Sequence, residues 1–364
     1  MISAPQKAWF QAVLWGGLGG ALVGCGSGDV PPPSPPTVTA STPSPADAAP
    51  QPLTISALRE RLGARTAQFE KMGGKIVSAS LPDAGVRDLG PLTGLPLKAL
   101  NASGNPITDL TPLSGMPLKQ LALVKTQVVD LSPLAGMPLE ELALNDSPVE
   151  SLGPLVGGHL SVVDIAGTRV NSLTPLSGQP IHSLWCEKAP IESLAAIAGM
   201  PLTVLMCNDT LISDLSPLQG MQLRELNLCG TRVRDLSPLV DCSVQSLWLR
   251  NTAVADITPL TGKDLVSLDL QGTQVSDLKV VSSLGSLKRL NIARTPITDL
   301  RPLEGMALER LILTPASIKE GLDVIRQMPT MRELDVQFEN ETPTRGPSDF
   351  WAAFDAGEFS SKAP

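Results

Sequence analysis

From Asp88 onward the sequence repeats itself every 21 residues, and this period limits the fold more than any other feature. DLTPLSGMPLKQLALVKTQVV (109–129) is followed by DLSPLAGMPLEELALNDSPVE (130–150) and SLGPLVGGHLSVVDIAGTRVN (151–171). The period holds from Asp88 to Ser276, takes one extra residue between Asp277 and Thr298, and an eleventh unit begins at Asp299. A unit this short has room for one strand, one turn and a return segment. It cannot enclose a core, so each unit must lay its leucines against its neighbours in a stack.

The columns of the stack assign its faces. Leu100, Leu121, Leu142, Val163, Leu184, Leu205, Leu226, Leu247, Leu268, Leu290 and Leu311 form one apolar column, and Ala102 to Leu313 form another two residues on. This alternation is that of a half-buried strand. The column between them holds Asn101, Asp164, Trp185, Met206, Asn227, Trp248, Asp269 and Asn291, among others. Asp and Asn do not recur in a buried column without partners. That column is therefore expected to face solvent, with Trp185 and Trp248 pointing outward. Proline four positions into most units stops the strand and starts a turn, and the Asp or Ser three residues earlier is placed to cap its free N–H groups.

The consensus D-L-S-P-L-x-G-M-P-L-x-x-L-x-L-x-x-T-x-V-x resembles the leucine-rich repeat family, in the short bacterial form of internalin-like proteins. That resemblance spans residues 88–318 and implies an α/β solenoid: a horseshoe or arc with a parallel sheet on its concave face, short or 3-10 turns on the convex face, and helical caps. Where the family pattern has Asn, this chain has Thr126, Thr168, Thr210, Thr231, Thr252, Thr273 and Thr295. A hydroxyl has one donor against an amide's two, so a thinner ladder is expected. For the front cap, Ile55, Leu58, Leu62 and Phe69 have helical spacing and Gly73-Gly74 ends the segment. For the back cap, Ser317 and Glu320 make a capping-box pattern before Ile318, Leu322 and Ile325. A last strand near Leu334–Val336 and the aromatic tail DFWAAFDAGEF (349–359) complete it.

Ahead of the repeats, Lys7 and the apolar stretch from Ala8 to Gly24 read as a signal peptide, short and glycine-rich for a membrane span. Its end, Leu22-Val23-Gly24-Cys25, resembles the bacterial lipobox, which implies lipidation (palmitate included) of Cys25 and, with Gly26 following, onward transport to an outer membrane where the cell has one. Residues 26–52 are rich in Pro, Ser, Thr and Ala and cannot bury a core. Extended, these 27 residues reach roughly 80 Å and read as a tether. The organisation expected is signal 1–24, tether 25–52, N-terminal cap 53–87, eleven repeats over 88–318, and C-terminal cap and tail 319–364.

Composition narrows the function. A net charge of −8 argues against nucleic acid, which needs a basic face. The two histidines, His159 and His182, stand 23 residues and at least one rung apart, too far for a catalytic pair. No Cys or His pair has metal-ligand spacing, so neither an enzyme nor a cofactor is expected. Cys186 and Cys207 share an inner column on consecutive rungs, where parallel side chains do not favour a disulfide and both read as buried thiols. What remains is the central column. Trp185 and Trp248, with Met206, Asn227, His182, Glu187, Arg224 and Arg250 around them, have the composition of a binding hot spot. The expectation is an extracytoplasmic, lipid-anchored protein that binds a protein or peptide on its concave face. The alternatives are a structural envelope protein and a polysaccharide-binding module.

Overall fold

The computed structural model describes residues 54–337 and 345–359. Among these residues fourteen strands form one sheet in strict chain order, β1 (Gln68–Met72), β2 (Lys75–Ser80), then β3 (Ala99–Asn101) to β13 (Arg310–Ile312) one per repeat, and β14 (Glu333–Asp335). Every pair from β2 to β14 is parallel, and only the β1–β2 hairpin is antiparallel. Equivalent letters of successive repeats face each other, as in Leu100↔Leu121 and Leu268↔Leu290, so the 22-residue unit absorbs its extra residue outside the strand. The fold is a leucine-rich repeat solenoid.

Each turn follows from its local sequence. A 3-10 turn such as Thr111–Leu113 or Ser132–Leu134, with proline second in most cases, returns the chain behind the sheet. Asp109 Oδ1 accepts from Thr111 N at 2.8 Å and Asp235 Oδ1 from Ser237 N at 2.8 Å; Ser151 Oγ does the same for Gly153 N at 3.1 Å. The capping residue thus stands two before the N–H it satisfies. Just past the strand the chain turns through a left-handed residue, as at Lys125, Asp146 and Asn251. Gly104 and Gly167 occupy the same place for a second reason. A Cβ on Gly104 would lie 1.9 Å from Asp83 Oδ1, and one on Gly167 would lie 2.5 Å from Asp146 Oδ1.

Behind the sheet the two apolar columns merge into one continuous cluster running from Leu58 to Phe350. Main-chain bonds tie rung to rung; Ala102 N donates to Ala122 O at 2.9 Å and Leu123 N to Ala143 O at 2.8 Å. The threonine column adds little across rungs. Thr126, Thr210 and Thr252 donate only to a carbonyl of their own turn, those of Leu123, Cys207 and Leu249. Asn105 shows what the amide supplies. Its Nδ2 lies 2.7 Å from Leu81 O on the preceding rung and within reach of Ala102 O and Ser103 O, and its Oδ1 accepts from Val86 N.

The ends differ from expectation in two details. Helix α1 (Ile55–Leu62), capped by Thr54 Oγ1 on Ala57 N at 3.1 Å, stops at left-handed Gly63; Phe69 belongs to β1, and Gly73-Gly74 make the hairpin turn. At the other end no capping box forms. Ser317 Oγ turns back to Thr314 O, Glu320 pairs with Arg301 at 2.6 Å, and Gly321 precedes α2 (Leu322–Arg326). Helix α3 (Pro347–Asp355) then covers β14, burying Phe350 fully among Trp351, Phe354 and Phe359. Arg326 stacks 4.4 Å over Trp351 and pairs with Asp355 at 2.6 Å.

Candidate functional site

Strands β6 (Val162–Asp164) to β11 (Ser267–Asp269) place six central residues in one row: Asp164, Trp185, Met206, Asn227, Trp248 and Asp269, each paired in register with the next. Period-two alternation turns this row away from the leucine stack. On that concave side Val162, Trp185, Val204 and Met206 form a second apolar cluster, separate from the core, with Trp248 packed against it. The two tryptophans are three strand spacings apart, about 14 Å.

The row is far less exposed than its polar letters suggested. Trp185 is 8% exposed, Met206 0%, Asp164 7% and Asp269 5%; Trp248 is half-buried. Asp and Asn are tolerated there because their partner is their own backbone. Asp164 Oδ1 accepts from Ala166 N at 3.0 Å, Asn227 Oδ1 from Cys229 N at 3.0 Å, and Asp269 Oδ1 from Gln271 N at 2.9 Å. Each side chain thereby closes the strand end. Strands about 4.8 Å apart leave little room for water between side chains of this size, so low exposure here reflects crowding on the outer face.

The other expected residues divide. Arg250 Nη2 reaches Asp269 Oδ2 at 2.9 Å, so it belongs to the row's edge. Arg224 is exposed and lies 3.4 Å from Glu225 Oε1, outside the strand. His182, half-buried, has Nδ1 3.1 Å from Ser183 Oγ. Glu187 is buried two residues beyond Trp185. Sequence reasoning passed over Val162, Val204 and Glu225, which occupy the strand position just before the leucine. The available signal was that this position, like the central one, leaves the core. The motif Ser-Leu-Trp also occurs twice, at 183–185 and 246–248, three units apart.

The four cysteines described are free. Cys186 and Cys207 are fully buried and their thiols are pushed up by burial; Cys229 is pushed up to about 12 by the same cause. Among the described residues no three Cys, His, Asp or Glu side chains cluster as metal ligands do, and no helix is long and apolar enough to cross a membrane. Cys25 and the tether lie outside the described residues.

By sequence, no family model and no curated protein matches the chain. Solved structures place it among leucine-rich repeat folds. An internalin from Listeria monocytogenes superposes with a TM-score of 0.64 at 24% identity, covering 77% of this chain and 86% of that one. The functional domain of InlJ from the same organism, described as including a cysteine ladder, gives 0.56 at 19%, covering 73% and 63%. The repeat ectodomain of the Arabidopsis thaliana receptor kinase GASSHO1/SCHENGEN3, in complex with CASPARIAN STRIP INTEGRITY FACTOR 2, gives 0.59 at 18%, covering 74% and 37%. At these identities the likeness is one of fold.

Proposed function

We propose that this chain is a non-enzymatic binding protein held outside the cytoplasm by a lipid on Cys25, and that it captures a protein or peptide on its concave face. The observation that carries the reading is the second apolar cluster. A solenoid needs only its leucine stack to fold, yet Trp185, Met206 and Trp248 gather on the opposite face with Val162 and Val204. A packed apolar plate with a half-buried tryptophan on an open face is the composition of an interface centre. The same crowding fixes the rotamers before contact, which lowers the ordering cost of association.

The test is capture from cells by the wild type and by Trp185→Ala/Trp248→Ala, with thermal melts run in parallel. Hot-spot truncations cost about 2 kcal/mol or more each, so the double variant should lose capture by at least 30-fold while still melting cooperatively. Undiminished capture removes the site. Palmitate labelling of wild type against Cys25→Ser checks the anchor separately.

A further inference from the structure

We infer that the chain pairs with a second copy of itself through the back of its third to sixth repeats, with Val156 of each copy seated in a cleft of the other. This surface lies behind the sheet, apart from the concave plate, so the two readings stand or fall separately.

The turn caps give the first observation. Asp109, Asp130, Asp214 and Asp235 each accept from an N–H two residues on at 2.8 Å. In the three repeats between Asp130 and Asp214 the same place holds Ser151, Ser172 and Ser193, whose hydroxyls keep the bond at 3.1, 3.3 and 3.2 Å. The cap survives and its charge is gone. A carboxylate makes the stronger bond to an N–H, so capping alone does not account for serine in three consecutive repeats. The rest of these turns is uncharged too: residues 131–139, 151–163, 172–186 and 193–208 contain no Asp, Glu, Lys or Arg. Later turns carry Asp241, Lys263, Lys279 and Arg301.

The second observation is a knob beside a hole. Where other repeats bury Met116, Met137, Met200 and Met221 between the turns, the fourth has Gly158. A cleft of about 310 Å³ opens there, walled by Leu134, Met137, Leu139, Leu155 and Leu160. Val156 lines the same cleft and is 69% exposed, more than any other large apolar side chain described. A knob and a hole on one patch are self-complementary: a two-fold axis between them seats each Val156 in the other copy. Charge selects the same partner. Copies that each carry −8 repel where carboxylates meet, and they approach at least cost on uncharged ground. A cationic partner would instead be drawn to the aspartates of the flanking turns. Val240 provides the contrast. It is 56% exposed, but Asp241 follows it and Lys263 Nζ donates to its carbonyl at 2.9 Å.

Three strand spacings, about 14 Å, separate the third repeat from the sixth. The contact is therefore at the low end of specific interfaces, with a dissociation constant on the order of 10 µM. Sedimentation velocity of the purified chain over a concentration series should show a monomer–dimer equilibrium that added salt leaves intact or tightens. Ser151→Asp/Ser172→Asp/Ser193→Asp restores the cap of the flanking repeats, so it should melt like the wild type yet weaken pairing at least tenfold. Val156→Asp should weaken pairing as much, while Val240→Asp leaves the equilibrium unchanged. A wild type that stays monomeric to about 100 µM overturns the inference. Pairing that survives both the three aspartates and Val156→Asp, or that Val240→Asp disrupts equally, overturns it as well.

Discussion

Leu205 and Met206 are neighbours in one strand, and both are fully shielded from solvent. They do different work. Leu205 is one rib of an apolar cluster that runs through the whole solenoid. Met206 belongs to a small plate with Trp185, Val162 and Val204 on the concave side, where these neighbours cover it and Trp248 packs against them. Low exposure arises twice in this molecule, once by enclosure and once by crowding, and only the first is needed for folding. The same face shows the contrast along its length: its first repeats carry Ala99, Ala122 and Ala143, while the bulky plate begins at Val162.

The sharpest way to break the comparison is to truncate the enclosed side. Leu226→Ala should cost about 2–5 kcal/mol in urea unfolding, because its cavity cannot collapse between rungs. A smaller loss would mean the stack relaxes as freely as the open face. Next is the one rung with an amide in the threonine column. Asn105→Thr removes the bond to Leu81 O and leaves Val86 N, also on the preceding rung, to find another acceptor. A loss of about 1–3 kcal/mol is expected. The reverse change, Thr210→Asn, should gain no more than a few tenths of a kcal/mol unless the turn can admit an inter-rung bond. Truncating the plate should matter less to stability: Trp248→Ala, half-exposed, is expected to cost about 1 kcal/mol in the same assay.

The turn edge provides the smallest effect. Asp130 is held below the ordinary 3.8 first by the Ser132 hydroxyl and then by its N–H, and Asp214 and Asp235 by the N–H and then the hydroxyl of Ser216 and Ser237. A carboxylate depressed in the folded state stabilises it above the unfolded value and loses that contribution as pH falls through the folded one. Melting temperature should therefore drop as pH falls below about 4. Asp214→Asn and Asp235→Asn should each flatten that slope slightly. A slope untouched by both variants would show that the acid response comes from another part of the molecule.

Much of this architecture was legible because the repeat makes each column its own control. Eleven apolar letters in one place admit one face, and the strand register follows. The burial of Asp164 and Asp269 was not legible. Their acceptor role is filled by backbone N–H groups two residues on, and the composition of a column does not show that partner. Phe69 misled for a simpler reason: its helical spacing from Leu62 spans Gly63, whose left-handed backbone ends the helix. The pairing of Ser317 with Glu320 fitted a capping box, but Arg301 on the adjacent rung takes the glutamate.

One paired measurement tests the separation of the two faces most directly: Leu205→Ala and Met206→Ala, each followed by urea unfolding and by capture of the concave-face ligand. Leu205→Ala should lose about 2–5 kcal/mol of stability. Met206→Ala should lose less than half as much while weakening capture about tenfold, through the support it gives Trp185 and Trp248. Equal destabilisation by both, with capture by Met206→Ala intact, would show that the concave plate is simply more core.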